Sequence, residues 1–495
     1  QDELDELIFI LDMYNIPNRG YHELTQTKYS RLPKLCRLVK RRNQLNNSIS
    51  IHETNPMSPG VYTSLSESLC EKLSDPSKSY VIKNGSVRVK ISGDGTRITC
   101  KQSFVNISYT MVDEATCMSE HGNYLLAIVK CKESNEGIKS ALSSLIEEIE
   151  NLEFVMIAGQ KITIDKYLGG DLKFLNQVVG IGGFASKFSC LWCRCSKEDR
   201  FDMQKTWSMT NPDLGARTIE EITTCGKMKK SDPLKFNCTE LPIFPSIPIC
   251  KVIPDTLHLC LRICDQMVSH LFAYLLKLDN FSKCSVTEKK LDNSHHVKKF
   301  QVFISDQVKI LDWKYFIKDG RIEYRTFRGP EHRRILQHMD LDFIIPTHPK
   351  LNSLKKLWKT FSNLLTEMEK DLSEEEIDAF EIAAKEWVHL YYEINCSTDI
   401  TPYMHLLAFH VPEVMRLHGN ISHFCQQGLE KLNDLVTKWY HRSTNFGPSA
   451  LAQILSKQHR LHILQGKFKR TPKWSVTCSK CKTSGHNMRT CPQKE

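Results

Sequence analysis

The chain has 495 residues, 41% of them apolar and 25% charged, which excludes wholesale disorder and calls for about two to four domains. No run approaches about eighteen uncharged apolar residues, so the sequence predicts no membrane span. Lys plus Arg exceed Asp plus Glu by 67 − 57 = 10; residues 438–495 hold 12 of these bases against one acid, so the first 437 residues sum to about −1. A basic tail on a near-neutral body points to a polyanionic partner, with nucleic acid first and a solubilising tail as the plainer alternative. The opening QDELDELIF is acidic where a secretory signal is basic, and it begins on Gln, as expected of a chain whose true N-terminus lies upstream. The 19 cysteines are then expected in a reduced, nuclear or cytosolic compartment, where close Cys pairs read as metal ligands before disulfides. Sequons such as Asn84-Gly-Ser become incidental.

Residues 1–80 read as helices and turns. Within them RLPKLCRLVKRR (31–42) carries six bases and no acid, either a DNA-facing helix or a solvated one. From Val81 the period changes. VIKNGSVRVKISGD places Val87, Val89 and Ile91 on one face; VNISYTMV alternates through Val105, Ile107, Tyr109 and Met111; NYLLAIVKCK is a short apolar run. Three successive strands are predicted. IKSALSSLIEEIENL then has Ile138, Leu142, Leu145, Ile146 and Ile149 at helical spacing. A further strand, QKITIDKYL, leads through Gly169-Gly170 to Asp171 and the helix LKFLNQVVG.

Three strands, a helix and another strand is the order of an RNase H-like core, in which the first and fourth strands lie side by side and parallel. An acid at the end of each, here Asp94 and Asp171, would be brought together. Asp113, Glu114 and Asp165 are rival carboxylates, expected to be solvated charges. Residues 194–404 read as mostly helical: a Pro-punctuated lead, a long apolar helix, and two amphipathic helices whose Trp358, Trp387 and Tyr391 are expected in the core. Residues 467–473 (KFKRTPK) read as basic linker.

Two metal sites are visible as spacings. Cys478, Cys481, His486 and Cys491 form C-x2-C-x4-H-x4-C, a zinc knuckle: four ligands within fourteen residues surround one tetrahedral Zn2+, and Gly485 allows the tight turn. So short a module draws its folding energy from the metal. Lys480, Lys482 and Arg489 would serve nucleic-acid contact. Cys190 and Cys193 form a lone C-x2-C, and His405 and His410 could complete a second Zn2+ site. Five residues advance a regular helix by about 500°, so the two His do not share a stripe unless the helix distorts, for example near Pro412. Spacing leaves that site balanced against two core histidines and a buried Cys pair.

The blocks SGDGTRIT, SYTMVDEATCMSEHGNYLLAIVKC and GGDLKFLNQVVGIGG…FSCLWC, with the later YMHLLAFHVPEVMRLHGNISHFCQQGLEKLNDL, resemble the catalytic subunit of the V(D)J recombinase (recombination-activating gene protein one) and its Transib and ProtoRAG transposase relatives. The similarity spans about residues 80–445. It matches in spacing too: Asp94 precedes Gly95, Asp171 stands nineteen residues before Cys190, and Glu430 twenty after His410. It is patchy between Cys193 and His405, and residues 1–80 show no recognisable AT-hook-like region.

The resemblance implies a DDE-type DNA transposase or recombinase with Asp94, Asp171 and Glu430 holding two Mg2+ or Mn2+ ions, which clamp the attacking and leaving oxygens of a phosphoryl displacement. It favours Glu430 over Asp434, one turn on. It implies one structural Zn2+ shared by Cys190, Cys193, His405 and His410, and places His258, in Asp255-Thr-Leu-His258, near the catalytic residues. The implied reaction nicks double-stranded DNA at transposon terminal repeats, forms a hairpin, and joins ends to target DNA, in the nucleus, as a homodimer, with the need for an accessory subunit like recombination-activating gene protein two left open. A non-catalytic DNA-binding protein domesticated from such a transposase is the alternative; an RNA-directed nuclease or RNA binder is a third.

The expected architecture is therefore mixed α/β: an N-terminal helical DNA-binding or dimerisation region (1–80), the first part of an RNase H-like core (81–193), a mostly helical zinc-containing insertion (194–404), core-closing helices with Glu430 (405–445), a basic linker (446–475) and the zinc knuckle (476–495).

Overall fold

The computed structural model describes residues 2–28, 30–99, 102–229, 231–281, 294–318, 321–395, 400–465 and 467–468. The predicted knuckle ligands Cys478, Cys481, His486 and Cys491, and most of the 467–473 linker, lie outside the described residues. The chain divides into two compact units, residues 1–50 with 438–495, and residues 51–437.

In the smaller unit the helices Asp2–Met13, Leu35–Asn46 and Ala450–Gln465 enclose Ile8, Leu11, Leu38, Leu45 and Leu464. Charge reinforces this apolar contact: Arg41 grips the buried Asp5 carboxylate at 2.6 and 2.9 Å. Part of the basic run 31–42 is thus spent on internal pairing, while Arg37 and Lys40 stay exposed.

The larger unit is a mixed α/β structure. Its sheet comprises β1 (His52–Glu53), β2 (Gly60–Tyr62), β3 (Ser86–Thr99), β4 (Gln102–Met111), β5 (Tyr124–Val129), β6 (Phe154–Ile157), β7 (Gln160–Gly170) and β8 (Val252–Pro254). The order is β1-β2-β5-β4-β3-β7-β6, and β8 also pairs with β7. The hairpins β3–β4–β5 are antiparallel, whereas β3, β7 and β8 run parallel. Side chains alternate along β3. Val87, Val89 and Ile91 enter the apolar core; Lys90 and Ser92, equally buried, face the other way.

Three layout expectations change. The boundary near 80 falls near 50, because β1 pairs with β2, β2 pairs with β5, and the helix Leu65–Leu73 joins the core through Leu65 and Leu69. The helix expected across 138–149 is two, Asn135–Ala141 and Ser143–Asn151, parted at Leu142, whose φ −121° and ψ 26° leave the helical region. The 446–475 stretch contains the helix Ala450–Gln465, with Ile454, Leu455 and Leu464 buried. Trp358, Trp387 and Tyr391 are buried in the core as expected. The helix Thr256–Leu278 is long and apolar enough to cross a membrane, but half of its most apolar window is buried within the protein.

Gly93 sets how closely the helix Leu172–Val179 approaches β3. A Cβ there would collide with the Phe174 ring and come within 2.8 Å of Ile107 Cδ1. Gly93→Ala should cost about 1–3 kcal/mol of overpacking, read as a lower urea midpoint at unchanged slope. An unchanged midpoint would contradict this packing.

Candidate active site and metal centre

The parallel pairings of the three strands stop in register, β3 alone running on to Thr99 against β4. Ser92 of β3 lies beside Gly169 of β7, which lies beside Ile253 of β8. Two residues further on, each strand delivers an aspartate: Asp94, Asp171 and Asp255. The carboxyl ends of parallel strands are where open α/β sheets gather their ligands. Asp171 caps the helix Leu172–Val179, accepting from Phe174 N at 2.7 Å. Asp255 caps Thr256–Leu278, accepting from Leu257 and His258 backbone N–H groups, and its Oδ2 also holds His258 Nδ1 at 2.5 Å.

The helix Gln427–Ser443 brings Glu430 to the same place. It is latched to the sheet through residues just before and within it. Lys90 Nζ donates to the carbonyls of Phe424 (3.0 Å) and Cys425 (3.1 Å). Gln426 N donates to Asp255 Oδ1 at 2.8 Å. Asn433 bridges Asn106 and Asp94, accepting from Asn106 Nδ2 at 2.8 Å and donating to Asp94 Oδ2 at 2.7 Å. Gly428 passes so close to Ser119 O (2.7 Å from an added Cβ) that no side chain fits.

The electrostatics are those of crowded carboxylates. Burial, followed by the charges of Glu430, Asp171 and Glu133, pushes the Asp94 carboxyl up to about 7 against the opposing pull of His258. Burial also raises Glu430; His258 opposes, while Asp255, Asp171 and Asp434 add to the rise. Burial alone would lower His258, but its hydrogen bond to Asp255 and the charges of Asp255, Asp171 and Glu430 carry it up to about 9. The imidazolium Nε2 lies 3.7 Å from Glu430 Oε1. A cavity of about 590 Å3 opens beside Asp171, lined by Lys173 and Arg262 and by the aromatic rings of Phe184, Tyr324 and Tyr403.

All four residues expected at this site, Asp94, Asp171, Glu430 and His258, converge. Glu133, beside Gly95 and ion-paired with Lys173, was not anticipated, nor were Asp255, Lys90 and Asn433 as supports. The Asp-x-x-His pattern of a helix cap carried the signal for Asp255; Lys90, on the strand face opposite Val87, Val89 and Ile91, reads as solvent-facing until the Glu430 helix covers it. The rival carboxylates are not the solvated charges expected. Asp113 is gripped by Arg88 and Lys83, Glu114 by Lys78 and Tyr124, and Asp165 by Lys251, so each is neutralised in a structural pair.

A different group is set for a softer metal. Among the described residues, Cys190, Cys193, His405 and His410 form the group whose ligand atoms all lie within 4.8 Å of one another, and all four are buried. The separations are 3.5 Å (Cys190 Sγ–His410 Nε2), 3.2 Å (Cys193 Sγ–His405 Nε2) and 3.4 Å (Cys193 Sγ–His410 Nε2). Tetrahedral zinc, with bonds of about 2.3 Å to sulfur and about 2.0 Å to nitrogen, spaces its ligands about 3.5 Å apart, so the donor set fits a structural metal such as zinc.

The i, i+5 spacing that a regular helix forbids is met by a π-turn over Leu406–His410, where Val411 N donates to Leu406 O. His410 Nδ1 is held by Glu413 Oε2 at 3.0 Å, leaving Nε2 as the ligand atom. The buried Arg217 braces the Cys loop, its Nε 3.1 Å from the carbonyls of both Cys190 and Cys193.

No protein-family model matches the chain, and no curated protein matches it.

Cys193→Ser should reduce the zinc content of purified protein by one equivalent and lower its Tm by several degrees, since a structural metal contributes folding free energy. Elemental analysis beside a thermal melt checks both; an unchanged zinc content would contradict the four-ligand site.

Proposed function

We propose that this chain is a DDE-type DNA transposase or recombinase of the V(D)J recombinase and Transib kind, acting on double-stranded DNA by two-metal phosphoryl transfer. The observation that carries the reading is the register of β3 and β7, which sets Asp94 beside Asp171 with Glu430 brought over them from a helix 259 residues further along the chain (430 − 171). The strand order also favours an RNase H-like core: the third, second, first and fourth predicted strands lie next to one another as β5, β4, β3 and β7.

The donor chemistry fits the proposed ions. Carboxylate oxygens without sulfur suit Mg2+ or Mn2+, which keep several waters, and two such ions spaced about 3.5–4 Å apart are served by carboxylates set wider than a single-ion cage. When bound, the two ions would stabilise the attacking and leaving oxygens of the displacement.

The chain's own residues do the rest. Asp94, flanked by both other carboxylates, is the best bridging ligand. Asn433 fixes the Asp94 carboxylate through Oδ2. Asp255 fixes the His258 ring and keeps it charged, so that its Nε2–H is available to a phosphate oxygen. Lys173 and Arg262, paired with Glu133 and Asp265, line the cavity at Asp171 and would offer their charge to a DNA strand passing there. The basic C-terminal segment supports a nucleic-acid partner in the nucleus. A homodimer pairing two DNA ends, with or without an accessory subunit, completes the proposal, as do nicking, hairpin formation and strand transfer.

The test is incubation of the purified chain with Mg2+ or Mn2+ and DNA carrying the gene's own flanking sequences, read on denaturing gels. Nicks and hairpins are expected, with at least about a thousandfold loss in Asp94→Ala, Asp171→Ala and Glu430→Gln, each still binding DNA. Metal-independent binding without cleavage would contradict the catalytic reading and favour a domesticated DNA-binding protein.

A further inference from the structure

The smaller unit contains a cavity of about 510 Å3 that the carboxylate site does not use. Arg42, Arg442, Lys457 and Arg460 line it, against one carboxylate, Asp12. On the helix Ala450–Gln465 the lining residues Gln453, Ser456, Lys457 and Arg460 follow i, i+3, i+4, i+7, a single stripe that is polar where a helix normally turns apolar residues inward. Lys457 and Arg460 are only 4% and 6% exposed.

Their partners are mostly neutral. Lys457 Nζ donates to Asn15 Oδ1 (2.6 Å) and Ser443 Oγ (2.8 Å). Arg460 binds Asp12 Oδ2 (2.7 Å) and Asn46 Oδ1 (2.6 Å). Arg42 donates to Asn18 Oδ1 at 2.8 Å and stands 3.9 Å from the Asp12 carboxylate that Arg460 already holds, and its Nε is buried without a hydrogen-bond partner. Burying several like charges around one counter-charge is costly unless a ligand supplies the missing negative charge. The strain registers on Lys457, pushed down to about 8 by burial first and then by Arg460 and Arg42, with Asp12 opposing. Pro17 and Asn18, at the start of the nine-residue helix Asn18–Gln26, also line the cavity, and that start has no side-chain cap.

We propose that this cavity binds a phosphate group, held by the guanidinium groups of Arg42, Arg442 and Arg460 with Lys457 beside them. Guanidinium forks match phosphate oxygens in pairs, and the excess of three positive charges (four cations against Asp12) suits a dianion or a pyrophosphate. The volume exceeds what one phosphate fills, so the group arrives either as a small free phosphate compound or as a phosphate of a nucleic-acid chain.

Calorimetric titration of the full chain with pyrophosphate, at ionic strength matched with chloride, tests the site. Saturable binding is expected, weakened at least about tenfold in Arg42→Gln and in Arg442→Gln. Arg442 is exposed, so its variant keeps the test valid if the Arg42 variant fails to fold. Two supporting outcomes identify the source. Duplex DNA displaced by pyrophosphate and weakened by the same substitutions assigns the phosphate to nucleic acid; pyrophosphate binding with DNA affinity unmoved assigns it to a free compound. No saturable binding beyond chloride, or full binding in the Arg442 variant and in any folded Arg42 variant, would overturn the proposal.

Discussion

A buried ammonium group ties together two parts of the chain more than 330 positions apart. Lys90, fully buried on β3, gives its protons to two consecutive carbonyls, those of Phe424 and Cys425, immediately before the helix that carries Glu430. Burial disfavours the charged lysine and lowers its pKa, so the arrangement persists because the carbonyl dipoles replace its lost water. Gln426 and Asn433 continue the same seam onto Asp255, Asn106 and Asp94. This polar seam, where an apolar one would pack as well, fixes the rotation and height of the helix above the strand ends. The position of Glu430 follows from it.

A metal held by the Cys2His2 group would constrain the approach to the same helix. Cys190 and Cys193 follow the helix that Asp171 caps, and His405 and His410 precede the turn leading to Glu430. A metal shared by these four would join the chain leaving Asp171 to the chain approaching Glu430. Glu413 extends the link by holding His410 while accepting from Ser208 Oγ and Met209 N. A metal bound there would add a cross-link of different chemistry to the buried lysine latch on one short segment.

Local pattern made some of this legible and left the rest hidden. Strand alternation and element order, read as those of an RNase H-like core, were enough to expect Asp94 beside Asp171, and β3 does pair with β7. The Cys and His spacing suggested a metal, and the π-turn supplied the distortion that the i, i+5 interval demanded. What escaped depended on tertiary context. β8 is three residues, Val252–Pro254, too short for any period to show, so Asp255 could not be placed as a third aspartate in register. Asn433 looks like any helical polar residue until Asn106 faces it. The packing of 1–50 with 438–495 joins opposite ends of the sequence, which no local signal reports.

The central claim is that Asp94, Asp171 and Glu430 form one divalent-cation site. Titration of Mn2+ followed by electron paramagnetic resonance tests it most directly, on wild type and on Asp94→Asn, with zinc retained in both. The account predicts two Mn2+ ions in wild type, giving a coupled signal, and loss of that signal in the variant while its melt and zinc content hold. Mn2+ binding no different between the two proteins, or none in either, would contradict it.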